Sequence, residues 1–433
     1  MTLLAVIVVA KAGYIMSAKR AYWMEVASRV KKDSVAVKAI RGNILSCNGE
    51  IMASSLPEYR LFIDFKAIHE AGNDSLWDTK VDSISEGLSR MFPNRSKAEY
   101  RRYLQKGKEK QSRRWSIYDG RVDYNTYCEV KQLPMFRLRG YTGGFYCENF
   151  DSRQHPYGSL AERTLGTLYA GKDEAKNGLE QFYDSLLRGK NGIIHRRKVL
   201  NKYLDITDTP PTDGADIVTT IDVNMQDLAE RAVIGQLNDK DVNGLVGVAI
   251  VMEVKTGDIK AIVNMERGAD GKLYEMKNHA ISDLMEPGSV FKTVSLMTVL
   301  EDGMCDTSRI VETGNGIYDM HGRPMRDHNW RHNGYGTITM ARSLEVSSNI
   351  GVSRIVEDYY GKNPEKFVEG VYRTGITTDF KLPLNGYAPA RVRMPKKNAR
   401  GQWLNWSKTS LAWMSIGYET QIPPISTLAF YNA

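Results

Sequence analysis

The chain has 433 residues, 42% of them hydrophobic and 25% charged; that length and balance exclude a disordered chain and imply two or three folded domains. Its net charge of +8 and pI near 9.0 come without zinc spacing, phosphate-binding loop or RNA-binding signature, so nucleic acid is set aside and an envelope protein facing anionic lipid or polymer is favoured. Cys47, Cys128, Cys147 and Cys305 form no Cys-x-x-Cys pair, which removes zinc and dithiol redox chemistry and leaves free thiols as the expectation.

Residues 1–17 come first. Thr2 to Ala10 is an apolar run, Lys11 interrupts it, and Ala12 to Met16 follows. A full membrane span needs about 20 apolar residues, and a cleaved signal peptide needs a cation ahead of the run. The segment therefore reads as part of a single-span anchor with Lys11 snorkelling to the interface; a buried N-terminal strand or helix is the plainer alternative. Ala18 to Lys31 spaces Tyr22, Val26 and Val30 as a helix. Arg41-Gly42 through Ala53 reads as strand, turn, strand, with Asn48-Gly49 as the hairpin signal. Tyr59 to Phe65 continues that sheet.

Residues 95–114 are strongly basic, from Arg95 and Lys97 to Arg113 and Arg114, with only Glu99 and Glu109 opposing. A solvated helix face is favoured over a contact surface for anionic lipid, glycan or a partner. Arg153 to Ala161 is a turn block holding Pro156 and Gly158; Gly166 and then Gly178-Leu179-Glu180 follow. His155, next to a proline, reads as a structural hydrogen-bonder. Asp208 to Gly214 is a turn-rich linker. It divides an N-terminal domain, 18–210, from a C-terminal domain, 215–433.

Beyond the linker, Val218 to Asp222 predicts a short strand, and Asp222 caps a helix from Val223 to about Gln236. Val246 to Val254 and Ile259 to Met265 are β-branched runs around Lys255-Thr256-Gly257-Asp258, the pattern of a β-hairpin. Pro287-Gly288 then breaks the chain, so Ser289 opens a helix running to about Leu300. The Ser289 N–H at that helix start is free to face a substrate carbonyl, half of an oxyanion hole. Lys292 lies one turn on, on the same face. A serine needs a base to become a nucleophile, and a lysine is such a base only when burial or a nearby cation lowers its pKa. Ser347-Ser348-Asn349 supplies a second polar group: Ser347 as proton relay, Asn349 as an amide for both a substrate peptide group and the lysine, and Ser348, with Gly288, as substrate contacts.

Ser-x-x-Lys and Ser-x-Asn are each weak signals. In this order, behind Pro-Gly and an upstream hairpin, they form a strong one. On these residues the chain resembles the class B penicillin-binding proteins, monofunctional peptidoglycan D,D-transpeptidases, over nearly its whole length. Arg41, Gly42, Asn48 and Gly49 resemble the family's first pedestal motif. Arg153, Pro156, Gly158, Gly166 and Glu180 resemble its second. Thr220-Ile221-Asp222 with Gln226, and Ser415 to Glu419 with Gln421 and Pro423-Pro424, resemble stretches flanking the catalytic motifs. The details look most like the septal, FtsI-type branch.

The resemblance implies a multidomain α+β protein: a membrane anchor, an elongated α/β pedestal and a penicillin-binding transpeptidase α/β domain. It implies Ser289 as nucleophile, Lys292 as base, Ser347 as relay and Asn349 as substrate amide, with no metal or organic cofactor. The implied partners are peptidoglycan stem peptides ending in D-Ala-D-Ala, β-lactam antibiotics, the membrane, and division proteins such as a SEDS-type glycosyltransferase. The implied location is the inner membrane, single-pass, with the catalytic domain in the periplasm. Ser46-Cys47 departs from the family's first motif. The larger departure is the third motif, Lys-Thr-Gly or Lys-Ser-Gly: Lys255-Thr256-Gly257 spells it but precedes the nucleophile in a hairpin turn, and none follows Asn349. The expectation is a transpeptidase domain incomplete at its C-terminus, acylating poorly and leaving the Val246–Val254 strand as an exposed apolar edge. A catalytically inactive divisome scaffold is the alternative. An elongation-type transpeptidase, a β-lactam sensor and a serine β-lactamase stand further behind.

Overall fold

The computed structural model describes residues 11, 13, 14, 16–30, 34–170, 172–199 and 202–433. The anchor expected over residues 1–17 lies mostly outside them. Among the described residues no helix is long and apolar enough to cross a membrane. The first complete helix is Arg20–Val30.

The chain forms two compact units that interleave in sequence. One takes residues 1–43, 53–156 and 191–213; the other takes 44–52, 157–190 and 214–433. Relative to the expected division into 18–210 and 215–433, the segments 44–52 and 157–190 pack with the C-terminal part of the chain. Ile44–Leu45 pairs in parallel with Ile217–Val218, and the Cys47 N–H donates to the Ile221 carbonyl at 2.8 Å. Further on, Glu275 accepts the Arg163 N–H at 3.0 Å. These bonds tie both early segments to the C-terminal part of the chain.

The first unit is built on the strand Ile51–Ile63, from Ala53 onward, paired antiparallel with Phe145–Gln154 from Ser54↔Gln154 to Ile63↔Phe145. The strand ends sooner than expected: Asp64 caps a helix, Phe65–Glu70, by accepting the Ala67 N–H at 2.8 Å. The helices Asp74–Met91, Lys97–Glu109 and Tyr124–Lys131 lay Trp77, Ile84, Leu88, Tyr100, Leu104 and Val130 into one core with Leu61, Ile63 and Phe65. Burying each large side chain contributes about 1.5–3 kcal/mol. The Lys97–Glu109 helix starts with a reciprocal Ser96/Glu99 capping box. A separate sheet pairs Ser34–Val37 with Gly192–Val199, and that strand with Lys202–Thr209.

Much of the basic run is neutralised within this unit. Arg95 pairs with Asp119, Lys97 with Glu86, Arg101 with Asp82, Lys108 with Asp78, Arg113 with Glu70 and Arg114 with Glu148. The sequence favours a solvated face; the pairing of its cations with acids of the same unit is a finding of the structure.

The second unit has two cores. Asp222 caps the helix Val223–Leu237, its carboxylate accepting the Met225 N–H at 3.0 Å. That helix packs on the antiparallel hairpin Val246–Met252/Ile259–Arg267, extended by Leu273–Tyr274. Gln226 locks the helix to the sheet: its buried amide donates to the Ile262 carbonyl at 3.0 Å and accepts the Ile262 N–H at 2.8 Å. Lys255-Thr256-Gly257 falls in the hairpin turn, with Gly257 at φ +75°. Among the described residues Val246–Met252 pairs on one side only, and Val246 and Val251 are exposed. The larger core is helical. Phe291–Glu301, Asn349–Tyr360, Pro364–Arg373 and Ser410–Met414 bury Phe291, Val294, Ile350, Ile355, Tyr360, Phe367 and Leu411 together. That shared core brings the Lys292 turn of one helix to the N-terminus of another. All four cysteines are free.

Candidate active site

Ser289 is exposed in a single tight turn, Gly288–Val290, and the α-helix proper begins at Phe291. The helix thus starts two residues later than the sequence predicts, because Gly288 adopts φ +65°, a left-handed conformation glycine accepts without strain. The turn is held from behind. The Gly288 N–H donates to the Gly417 carbonyl at 3.2 Å, and Glu286 accepts the Glu419 N–H at 2.8 Å. Ser295 Oγ donates to the Ser415 carbonyl at 2.7 Å. Gly417 has φ +88°, and a Cβ there would meet the Gly288 oxygen at 2.0 Å. The Ser415–Glu419 stretch is therefore the brace of the nucleophile turn. Tyr431 Oη completes the support, donating to the Val290 carbonyl at 2.7 Å.

Lys292 is fully buried beneath this turn. Its Nζ donates to the Ser347 carbonyl at 2.6 Å and to Ser347 Oγ at 3.0 Å. Burial depresses its pKa to about 8, although the Asp327 carboxylate nearby favours the charged form. The amine is thus partly neutral near pH 8 and already bonded to a second hydroxyl. Ser347 pays for this placement with a left-handed backbone, φ +50°, a strained conformation for a residue with a Cβ.

Ser348 corrects an expectation. It does not face a substrate: it is fully buried as the N-cap of Asn349–Tyr360. Its Oγ accepts the Gly351 N–H at 2.8 Å and donates to Asp327 Oδ2 at 2.7 Å. Asn349 is likewise not bonded to Lys292; its Nδ2 donates to the Arg326 carbonyl at 2.8 Å. Asp327 is the residue sequence reasoning missed. It is buried, and its other oxygen accepts the Ile350 N–H at 3.0 Å, so one carboxylate fixes the Ser347–Asn349 turn and biases Lys292. The signal available was a lone acid among basic residues, in Pro324-Met325-Arg326-Asp327-His328.

The pedestal-motif residues do structural work of several kinds. Arg41 and Glu180 are buried. Gly42 is buried beside Arg41. Asn48 Nδ2 donates to Asp222 at 3.3 Å, and Gly49 and Gly158 take positive φ in turns. Arg153 donates to Ser55 Oγ at 3.2 Å, and Pro156 opens the turn after that strand. A Cβ on Gly166 would lie 1.9 Å from the Asn177 oxygen, so that close approach demands glycine.

Residues 36–219 match the penicillin-binding protein dimerisation domain, and residues 247–433 match the penicillin binding protein transpeptidase domain. The chain belongs to the class B penicillin-binding proteins. It is 24% identical over 416 residues to the probable peptidoglycan D,D-transpeptidase PenA of Neisseria gonorrhoeae, covering 92% of this chain and 63% of that one. It is 22% identical over 405 residues to the peptidoglycan D,D-transpeptidase FtsI of Escherichia coli K12, covering 91% and 62%. The chain thus spans somewhat under two thirds of the length of these relatives. In fold it resembles penicillin binding protein 2X of Streptococcus thermophilus (TM-score 0.70, 19% identity, 92% of this chain and 59% of that one). It also resembles a chain in the complex of penicillin-binding protein PBP2 with MreC from Helicobacter pylori (TM-score 0.65, 18% identity, 92% and 76%).

Proposed function

We propose that this protein is a peptidoglycan D,D-transpeptidase acting through a serine acyl-enzyme, with penicillin as an irreversible substrate mimic. The observation that carries the reading is a buried Lys292 with a pKa near 8, bonded to Ser347 Oγ one turn from an exposed Ser289. Neutral Lys292 takes the Ser289 hydroxyl proton as Oγ attacks the penultimate D-Ala carbonyl of a stem peptide. The peptide C–N bond breaks, and the departing D-Ala amine receives the proton through Ser347. An amine of a second stem then attacks the Ser289 ester, forming the cross-link amide and returning the serine hydroxyl. Asn349 and the Ser289 N–H are assigned to holding the donor peptide.

The PenA and FtsI relatives support the reaction class, and FtsI favours a septal role in division. The PBP2–MreC structure supports the general idea of a protein partner; a SEDS-type glycosyltransferase is our assignment from the family resemblance. From the same resemblance we assign the chain to the inner membrane as a single-pass protein, with residues 1–17 as part of its anchor and its catalytic domain in the periplasm.

The test is covalent labelling by a fluorescent penicillin in membranes of cells expressing the protein from its gene. Labelling that disappears in Ser289→Ala is expected. Labelling that persists in Ser289→Ala, or wild-type protein that never labels, overturns the proposal.

A further inference from the structure

The rim next to Asn349 has a charge pattern the reaction above does not use. Residues 321–332 hold Arg323, Arg326 and Arg331 with three histidines, against a single acid, Asp327. That acid is buried and committed to Ser348 and Ile350. The guanidinium carbons of Arg326 and Arg331 lie 5.0 and 4.9 Å from the Trp330 ring centroid. Both arginines are exposed, and no carboxylate lies within ion-pair distance of either among the described residues. Elsewhere in this unit Arg309, Arg342, Arg373 and Arg393 each have an acid.

Two guanidiniums gathered on one ring, within about 10 Å of each other, repel unless an anion joins them. The platform is also rigid. The Asp327 N–H donates to the Gly316 carbonyl at 3.1 Å and the Trp330 N–H to the Asp327 carbonyl at 3.2 Å. Across the loop, the Gly336 N–H donates to the Gly314 carbonyl at 2.9 Å. The Arg326 carbonyl is itself the acceptor of Asn349 Nδ2, so the cation pair is one residue from the Ser-x-Asn turn. A preorganised bidentate cation at that place suits a carboxylate.

We propose that Arg326, Trp330 and Arg331 form a subsite for a carboxylate of the donor stem peptide, upstream of the reacting D-Ala and distinct from its terminal carboxylate. The proposal rests on the transpeptidase reading and names a further specificity element of the same site.

The experiment compares acylation of the protein by two donor peptide thioesters. One carries a free carboxylate upstream of the reacting D-Ala; its twin carries the carboxamide. The wild type acylates about five- to tenfold faster with the carboxylate donor at low salt, the scale of two partly exposed charge-assisted contacts. That preference shrinks in 0.5 M salt and falls to about one in Arg326→Gln/Arg331→Gln. Arg331→Gln alone reduces it by about half on a logarithmic scale. The preference is a ratio within each protein, so a general loss of folded enzyme cancels. Equal rates with both donors in the wild type, or an undiminished preference in the single and double variants, overturns the subsite while penicillin labelling of Ser289 leaves the transpeptidase reading standing. Absence of penicillin labelling removes that reading, and this inference with it.

Discussion

Asp327 accepts the Ser348 hydroxyl at 2.7 Å, and that bond joins the middle of the Ser-x-Asn turn to the electrostatics of the base. The same carboxylate raises the proton affinity of Lys292 against the effect of burial. Asp327→Asn removes the charge and one of two acceptor oxygens. Lys292 then loses its proton at lower pH, so the midpoint of the pH profile for penicillin acylation moves below about 8. Unfolding stability falls by about 1–3 kcal/mol, the cost of a buried donor left unpaired. A pH profile superimposable on wild type would restrict Asp327 to a structural role.

Lys292 itself sets the sign of the wild-type profile. Its amine is charged below about 8 and neutral above, and only the neutral form takes the Ser289 proton. Acylation therefore rises about tenfold per pH unit below that point and levels off above it. Lys292→Arg keeps the cation but cannot deprotonate in this range, so acylation above about pH 8 drops by about 100- to 10,000-fold and the gap to wild type narrows as pH falls. Rapid-quench labelling between pH 6 and 9.5 measures both.

Gly417 tests the brace. Alanine there needs a left-handed φ and collides with the Gly288 backbone, its Cβ coming within 2.0 Å of the Gly288 oxygen. The nucleophile turn must shift or the chain must strain, at about 1–3 kcal/mol for the backbone conformation alone. Gly417→Ala is expected to slow acylation more than it lowers the melting temperature, because the displaced group is the segment carrying Ser289. Gly401→Ala is the control: it has a similar φ of +77° but open space around it. If both variants acylate alike, the brace is not what positions the serine.

Local chemistry made part of this site readable. Pro287-Gly288 forces a break, Ser289 and Lys292 are one turn apart, and Asp222 and the Val246–Arg267 hairpin carry signals spanning a few residues. What could not be read depends on distant segments meeting. Ser348 looks like a substrate contact until Asp327 arrives from another loop and buries it. The consecutive-domain division ignores the pairing of Ile44–Leu45 with Ile217–Val218, which no local pattern encodes. The helix start at Phe291 rather than Ser289 follows from the Gly288–Gly417 contact, again a tertiary constraint.

Glu275 provides a prediction away from the chemistry. The residue is half-buried and its carboxyl pKa is pushed up to about 7, first by desolvation, while the Arg163 and Asn264 N–H groups that bond its two oxygens work the other way. Glu230, also raised by burial, lies near enough to add repulsion. In the unfolded chain the group ionises near 4.5. Between those values the folded state holds more protons, so stability is fully present below about 4.5 and is lost as pH rises through about 7. The loss is on the order of 2–3 kcal/mol. Thermal unfolding should therefore show the second unit weakening from pH 5 to pH 8. Glu275→Gln flattens that slope, while its amide leaves one of the two backbone N–H groups without an acceptor and lowers stability at all pH values by about 1–3 kcal/mol. A Gln variant that keeps the wild-type slope would assign the pH dependence to another group, Glu230 first.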